Sequence, residues 1–215
     1  MAVIESYPSA DPPAFFARLA CLAKAGEVLA VPTETYYGLG VNPFDAAAVS
    51  RVLSLKGRPD GKPILLLIGD QGQLEDLVAS VPPVARVLIE AYWPGPLTLV
   101  LPASGELPES VTAGTGTVGV RHTSCAALAE VLRHTGPLTG TSANRSGEPP
   151  VQTAAEVERT IGAMVDVIVD GGTTPGGLAS TVLDVCDGVQ MIREGPIDRQ
   201  MIQQALTARG FHLKP

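Results

Sequence analysis

Apolar positions along this chain switch repeatedly between a helical and a strand-like period. Asp11-Pro12-Pro13 places a capping residue before prolines, Phe15, Leu19 and Leu22 follow at helical spacing, and Gly26 stops the pattern. Val28 to Val31 reads as a short strand. Asp45 then caps a helix that carries Val49, Val52 and Leu53 on one face. Ile64 to Ile68 is an unbroken apolar run between Pro63 and Gly69, short enough for a strand buried on both faces. Pro82-Pro83 opens a helix with Val84, Val87, Leu88 and Ala91 toward the core, and Trp93-Pro94-Gly95-Pro96 breaks it.

The second half continues the alternation. Leu97 to Leu101, Val118 to Arg121, Leu138 to Thr141 and Val167 to Val169 read as strands, and Ala126 to Arg133 as a helix. Thr153 and Glu156 have the spacing of a capping box. Asp187-Gly188 between the runs Thr181 to Val185 and Val189 to Arg193 is a hairpin signal, so part of the sheet is antiparallel. A terminal helix is expected from Asp198 to Ala208. The pattern predicts an α/β fold, a twisted mixed sheet with helices packed on its faces, as one domain over residues 1–215.

Composition adds three constraints. Aromatic residues are only 4% of the chain, so the core must be built mainly from Ala, Val, Leu and Ile. The 23 glycines and 19 prolines are scattered between apolar runs, which implies tight turns and backbone-lined loops. A net charge of −7 disfavours a constitutive nucleic-acid binder but allows a local cationic cleft. Cys21, Cys125 and Cys186 are widely spaced and read as reduced core residues. Met1 to Pro13 lacks the pattern of a signal peptide, and no apolar run approaches ~18 residues, so the expectation is a cytoplasmic chain without a membrane span.

Three apparent motifs fail on physical grounds. Gly114 to Gly119 fits G-x-G-x-x-G but runs into a strand, where a dinucleotide fingerprint opens a helix. Gly57 to Pro63 resembles a phosphate-binding loop with one residue too few and proline at the magnesium position. His122, His134 and His212 have no metal-ligand spacing.

Four segments carry chemistry. Pro32-Thr33-Glu34-Thr35-Tyr36-Tyr37-Gly38 follows a strand and suits close approach of a small polar ligand. Lys56, Arg58 and Lys62, stiffened by Pro59 and Pro63, form a cationic loop suited to phosphates. Thr139 to Gly147 offers hydroxyls, an amide and small residues whose backbone N–H groups can meet anionic oxygens. Asp170 to Thr181 is a glycine-rich loop, followed by Arg193-Glu194-Gly195-Pro196.

In this order, Pro-Thr-Glu-Thr-x-Tyr-Gly-Leu-Gly, Lys-x-Arg-Pro, Trp-Pro-Gly-Pro-Leu-Thr, Val-x-Val-Arg, Ser-Ala-Asn-x-Ser-Gly, Ser-Thr and Arg-x-Gly-Pro, the chain resembles the YrdC family of L-threonylcarbamoyladenylate synthases in its short form. The resemblance implies a nucleotidyltransferase that joins L-threonine, bicarbonate or carbon dioxide and ATP into threonylcarbamoyl-AMP and pyrophosphate. The product would pass to a separate transferase that modifies the tRNA adenosine next to the anticodon. It implies threonine contacts from Thr35, Arg121, Gly140 and Ser180. It implies ATP contacts from Lys56, Arg58, Lys62, Thr117, Ser142, Asn144 and Arg193, with Lys56 and Arg58 as the catalytic pair. Magnesium would arrive with ATP and take few protein ligands. Two departures stand out: Leu67 where many relatives carry histidine, and Lys62 where many carry asparagine. A non-catalytic RNA-binding or ribosome-maturation module on the same fold is the competing expectation. The acidic balance and the retained cations weigh against it, and leave at most weak RNA binding.

Overall fold

The computed structural model describes residues 2–7, 9–57 and 63–214. Helix α1 spans Pro12–Lys24, its first turn capped by the Asp11 carboxylate accepting from the Ala14 N–H at 3.2 Å. Helix α2 spans Ala46–Leu55 under Asp45, which accepts from the Ala47 and Ala48 N–H groups. Short α3 (Leu74–Leu77) precedes α4 (Pro83–Tyr92), and short α5 (Glu109–Thr112) precedes α6 (Ala126–Thr135). Helix α7 (Ala154–Ile161) starts with the expected reciprocal bonds of Thr153 and Glu156, and α8 (Arg199–Thr207) is capped by Asp198.

The strands divide between two mixed sheets. One holds β1 (Val3–Ser6), β9 (Val167–Asp170), β2 (Leu29–Val31), β3 (Gly38–Gly40) and β8 (Thr141–Ser142), in that order. The other runs β11 (Gln190–Arg193), β10 (Thr181–Asp184), β5 (Leu97–Pro102), β6 (Thr117–His122), β4 (Leu65–Ile68) and β7 (Leu138–Thr139). The hairpin read from Asp187-Gly188 is present, with β10 antiparallel to β11 and Gly188 at φ 79°.

Several expectations change. The Leu138 to Thr141 run is not one strand: it changes sheets at Gly140, β7 pairing with β4 and β8 with β3. β4 is not buried on both faces, because Leu65 stays half-exposed over a cavity. Helix α4 buries Val84, Ala85, Leu88 and Ile89, while Val87 is half-buried and Ala91 exposed, so its apolar stripe is rotated from the one read in the sequence. No cysteine is a core residue: Cys21 and Cys186 are exposed and Cys125 half-buried. Cys21 falls off the α1 stripe of Phe15, Phe16, Leu19 and Ala23, and Cys186 sits just past β10. β1 and β3 had no clear sequence pattern, and they pair through their backbones with β9 and β2.

Leu29, Val31, Val167 and Val169 of the first sheet pack with α1 and α6 in one cluster. The main cluster joins Ala30 and Leu39 of the first sheet to Leu66, Leu99, Val120 and Leu183 of the second. No helix among the described residues is long and apolar enough to cross a membrane.

Candidate active site

A cavity of about 780 Å³ opens over the six-stranded sheet. Strand alternation builds its floor: Leu183, Leu99, Val120 and Leu66 enter the core, so Val182, Val100, Gly119 and Leu65 face the opposite way and line the cavity.

The wall on one side is the segment between β2 and β3. The Thr33 hydroxyl accepts from the N–H groups of Thr35 and Tyr36, at 3.0 and 3.2 Å, and winds the segment into a tight turn. This turn fastens the glycine-rich loop. The Tyr36 hydroxyl donates to Gly177 O at 2.8 Å, the Gly176 N–H donates to Thr35 O at 2.7 Å, and the Tyr37 hydroxyl donates to Gly172 O at 2.8 Å. Gly176 and Gly177 sit at φ 72° and 90°, a left-handed region that glycine enters without a steric penalty. The loop thereby brings Ala179 and Ser180 to the cavity.

Two arginines converge on this space. Arg121, on β6, is 5% exposed. Its Nε lies 3.1 Å from Glu34 Oε1, and the Thr123 hydroxyl holds the other carboxylate oxygen at 2.6 Å. Beyond this ion pair with Glu34, no described residue engages the Arg121 guanidinium, so a buried, charged fork lines the cavity. Burial pulls its pKa down, Glu34 opposes that pull, and the like charge of Arg193 adds to it. Arginine still keeps its proton. Arg193 donates from Nε to Ser180 O at 3.0 Å and from Nη2 to Ser180 Oγ at 3.2 Å. Thr98 Oγ1 lies 2.9 Å from the same Ser180 Oγ. Gly195 makes this possible: a Cβ there would come within 2.3 Å of Ala179 O and 2.6 Å of Thr181 N.

Lys56 takes a different position from a side chain reaching into the cavity. It is 6% exposed at the end of α2, and its ammonium donates to Ser142 O, Asn144 O and Asn144 Oδ1 at 2.7, 2.6 and 2.8 Å. It therefore braces the 142–144 backbone from behind, while Ser142 lines the cavity. Thr117 shares a strand face with Gly119 and Arg121, but its hydroxyl bonds with that of Thr115 at 2.9 Å, outside the cavity lining. Thr35 and Gly140 line it, and Gly140 lies so close to Leu67 that a Cβ would meet Leu67 Cγ at 2.7 Å. Arg58 and Lys62 lie outside the described residues. The structure thus gathers Thr35, Arg121, Gly140, Ser142, Ser180 and Arg193 around one space, with Lys56 and Asn144 directly behind it.

In the sequence Glu34 is one polar group in a turn, and Asp184 is one polar residue in an apolar strand run. Their placement comes from pairing across 87 positions of sequence for Glu34 and from strand alternation for Asp184. Among the described residues no group of three or more His, Cys, Asp or Glu side chains could hold a metal ion.

The signature of the Sua5/YciO/YrdC family, described as "Telomere recombination", matches residues 21–195. The chain belongs to the Sua5/YciO/YrdC family. The threonylcarbamoyl-AMP synthase of Bacillus subtilis is 39% identical over 193 residues, covering 88% of this chain and 56% of that protein. The threonylcarbamoyl-AMP synthase of Thiobacillus denitrificans is 40% identical over 189 residues, covering 87% and 97%. Pyrococcus abyssi Sua5, solved in complex with L-threonine, superposes with a TM-score of 0.89 at 32% identity, covering all of this chain and 63% of that one. This Sua5/YciO/YrdC chain therefore spans little more than half the length of some curated relatives and nearly all of others.

Proposed function

We propose that this chain makes threonylcarbamoyl-AMP and pyrophosphate from L-threonine, bicarbonate or carbon dioxide and ATP, for threonylcarbamoyladenosine modification of tRNA next to the anticodon. The observation that carries this reading is the pair Arg121 and Arg193 on one cavity, with the Arg121 fork buried and held among the described residues only by its ion pair with Glu34. A buried guanidinium that the described residues engage through a single ion pair is poised for a carboxylate or phosphate. The names of the curated relatives support the same reading.

In this reading Arg121 takes the threonine carboxylate as a bidentate pair, with Thr35, Ser180 and the Gly140 backbone around the rest of the amino acid. The threonine amine and bicarbonate give a carbamate and water. A carbamate oxygen then attacks the α-phosphorus of ATP, the bond to the bridging oxygen breaks, and pyrophosphate leaves. No protein nucleophile is required. Positioning and neutralisation of developing charge supply the acceleration. Arg193 contributes positive charge from the cavity, and Lys56 supplies it through its hold on Ser142 and Asn144. Arg58, Lys62 and Thr117 are assigned to ATP by the resemblance alone. Magnesium enters as part of the Mg-ATP substrate and neutralises phosphate charge. The lining fits this, since among the described residues it offers Arg121, Arg193 and one acidic side chain, that of Asp184. The product would go to a separate transferase, in the cytoplasm.

Pyrophosphate release from ATP should depend on both threonine and bicarbonate. Release indifferent to threonine would refute the reading. Arg121→Ala should raise the threonine requirement at least about tenfold more than the ATP requirement, in line with loss of a charge-assisted pair. Equal effects on both would remove the assigned role.

A further inference from the structure

A long guanidinium side chain loses much rotamer freedom when a ligand fixes it, and one that the protein already holds has less to lose. Arg121 is held from behind. Glu34, its side chain 11% exposed, stands on the Nε side of the fork at 3.1 Å. Arg121 lines the cavity and Glu34 lies outside that lining. A carboxylate at Nε leaves the Nη1–Nη2 edge of the fork for a ligand.

Glu34 is anchored in turn. Thr123, 1% exposed, follows Arg121 by two positions, the strand repeat that returns a side chain to the same face. Its hydroxyl has one proton, which goes to Glu34 Oε2 at 2.6 Å because an ionised carboxylate only accepts. The same hydroxyl oxygen accepts from the N–H of Cys125, the residue capping α6, at 3.1 Å. The Thr123 N–H donates to Ile68 O, at the end of β4, also at 3.1 Å. A connected line thus runs from β4 and α6 through Thr123 and Glu34 to the buried arginine. Burial and the like charge of Arg193 both work against the Arg121 charge, and Glu34 offsets them.

Two opposite roles are open to an anion in this place. Beside Arg121, Glu34 could compete with an incoming carboxylate, or it could set the fork for one. The geometry favours the second, because Thr123 fixes Glu34 at Nε and away from the cavity. We propose that Thr123 and Glu34 are positioning residues that orient the Arg121 fork for the carboxylate of the amino-acid substrate. Both act through Arg121 and neither lines the cavity. This role rests on the threonine reading above and adds the residues that prepare its carboxylate site.

Pyrophosphate release by the full chain, with threonine and ATP varied separately, tests the proposal. Thr123→Val keeps the shape and the Glu34 charge but removes the hydroxyl. It should raise the threonine KM about tenfold or more, the weight of one hydrogen bond to a charged group. The ATP KM should stay within about twofold, a split that general loss of structure would not produce. Thr123→Ser restores the donor and should return the threonine KM to within about threefold of wild type. Glu34→Gln should also raise the threonine KM about tenfold. In an Arg121→Ala background, Thr123→Val should change the threonine KM by less than about twofold, since its effect passes through the missing side chain. A threonine KM unchanged or lowered in Thr123→Val or Glu34→Gln overturns the proposal. So does a full Thr123→Val effect in the Arg121→Ala background. If Thr123→Val fails to fold, Glu34→Gln decides alone. Wild-type release indifferent to threonine overturns the threonine reading itself, and this role with it.

Discussion

Tyr37 is a small case of how one side chain ties a site together. Its ring is fully buried in the main core, and its hydroxyl reaches out to donate to Gly172 O. Burial is the main reason its pKa is pushed up from 10.0 to about 12. The sign follows from linkage. The folded protein holds the phenolic proton more tightly than the unfolded chain, so its stabilising contribution is complete below pH 10 and is lost as pH rises toward 12. Unfolding midpoints measured across that range should fall more steeply for the wild type than for Tyr37→Phe. Lys56 works through polar groups instead. Lys56→Met keeps much of the stem but leaves the carbonyls of Ser142 and Asn144 without their ammonium donor. Buried acceptors stranded in this way cost roughly 1–3 kcal/mol, so denaturant unfolding should show a loss of that size. An unchanged midpoint would mean that the brace has no energetic weight.

At the scale of elements, the decisive feature is the change of sheet at Gly140. β7 and β8 are two residues each, and Gly140 between them donates its N–H to Leu65 O at 2.6 Å. The close approach to Leu67 explains why glycine stands there: any Cβ would overlap the Leu67 isobutyl group. It also accounts for Leu67 structurally, since that side chain packs with Leu128 and Leu132 of α6 in the second cluster. Gly140→Ala should therefore destabilise by about 1–3 kcal/mol through overpacking. Pairing it with Leu67→Ala should recover part of that loss by removing the atoms in the way. Additive losses in thermal melts would show that the two residues do not interact.

The whole molecule couples its two sheets through one core. The cluster that includes Ala30 and Leu39 from the first sheet also includes Leu66, Leu99 and Val120 from the second. No apolar boundary separates the sheets, so unfolding one exposes the other. Calorimetry should give a single cooperative transition with equal calorimetric and van't Hoff enthalpies. Two resolved transitions would mean that the sheets hold together separately. The cavity takes its lining from both sheets and the segments between them, including Thr35, Gly140, Ser180 and Arg193.

Periodicity, caps and turn chemistry were enough to mark most elements, because each depends on contacts within a few residues: Asp45 over α2, Thr153 with Glu156, and Asp187-Gly188 between β10 and β11. The segments carrying Thr35, Arg121, Ser142, Ser180 and Arg193 were also legible as polar or glycine-rich interruptions after strands. Other features depended on distant pairing. The split of the strands into two sheets, the ion pair of Arg121 with Glu34, the burial of Lys56 behind Ser142 and the pairing of Asp184 with Val100 all join residues far apart in sequence. A local pattern can say that a strand has two faces. Only the packed chain decides which face meets the core and which meets a ligand, because that choice is made by partners the local sequence does not contain.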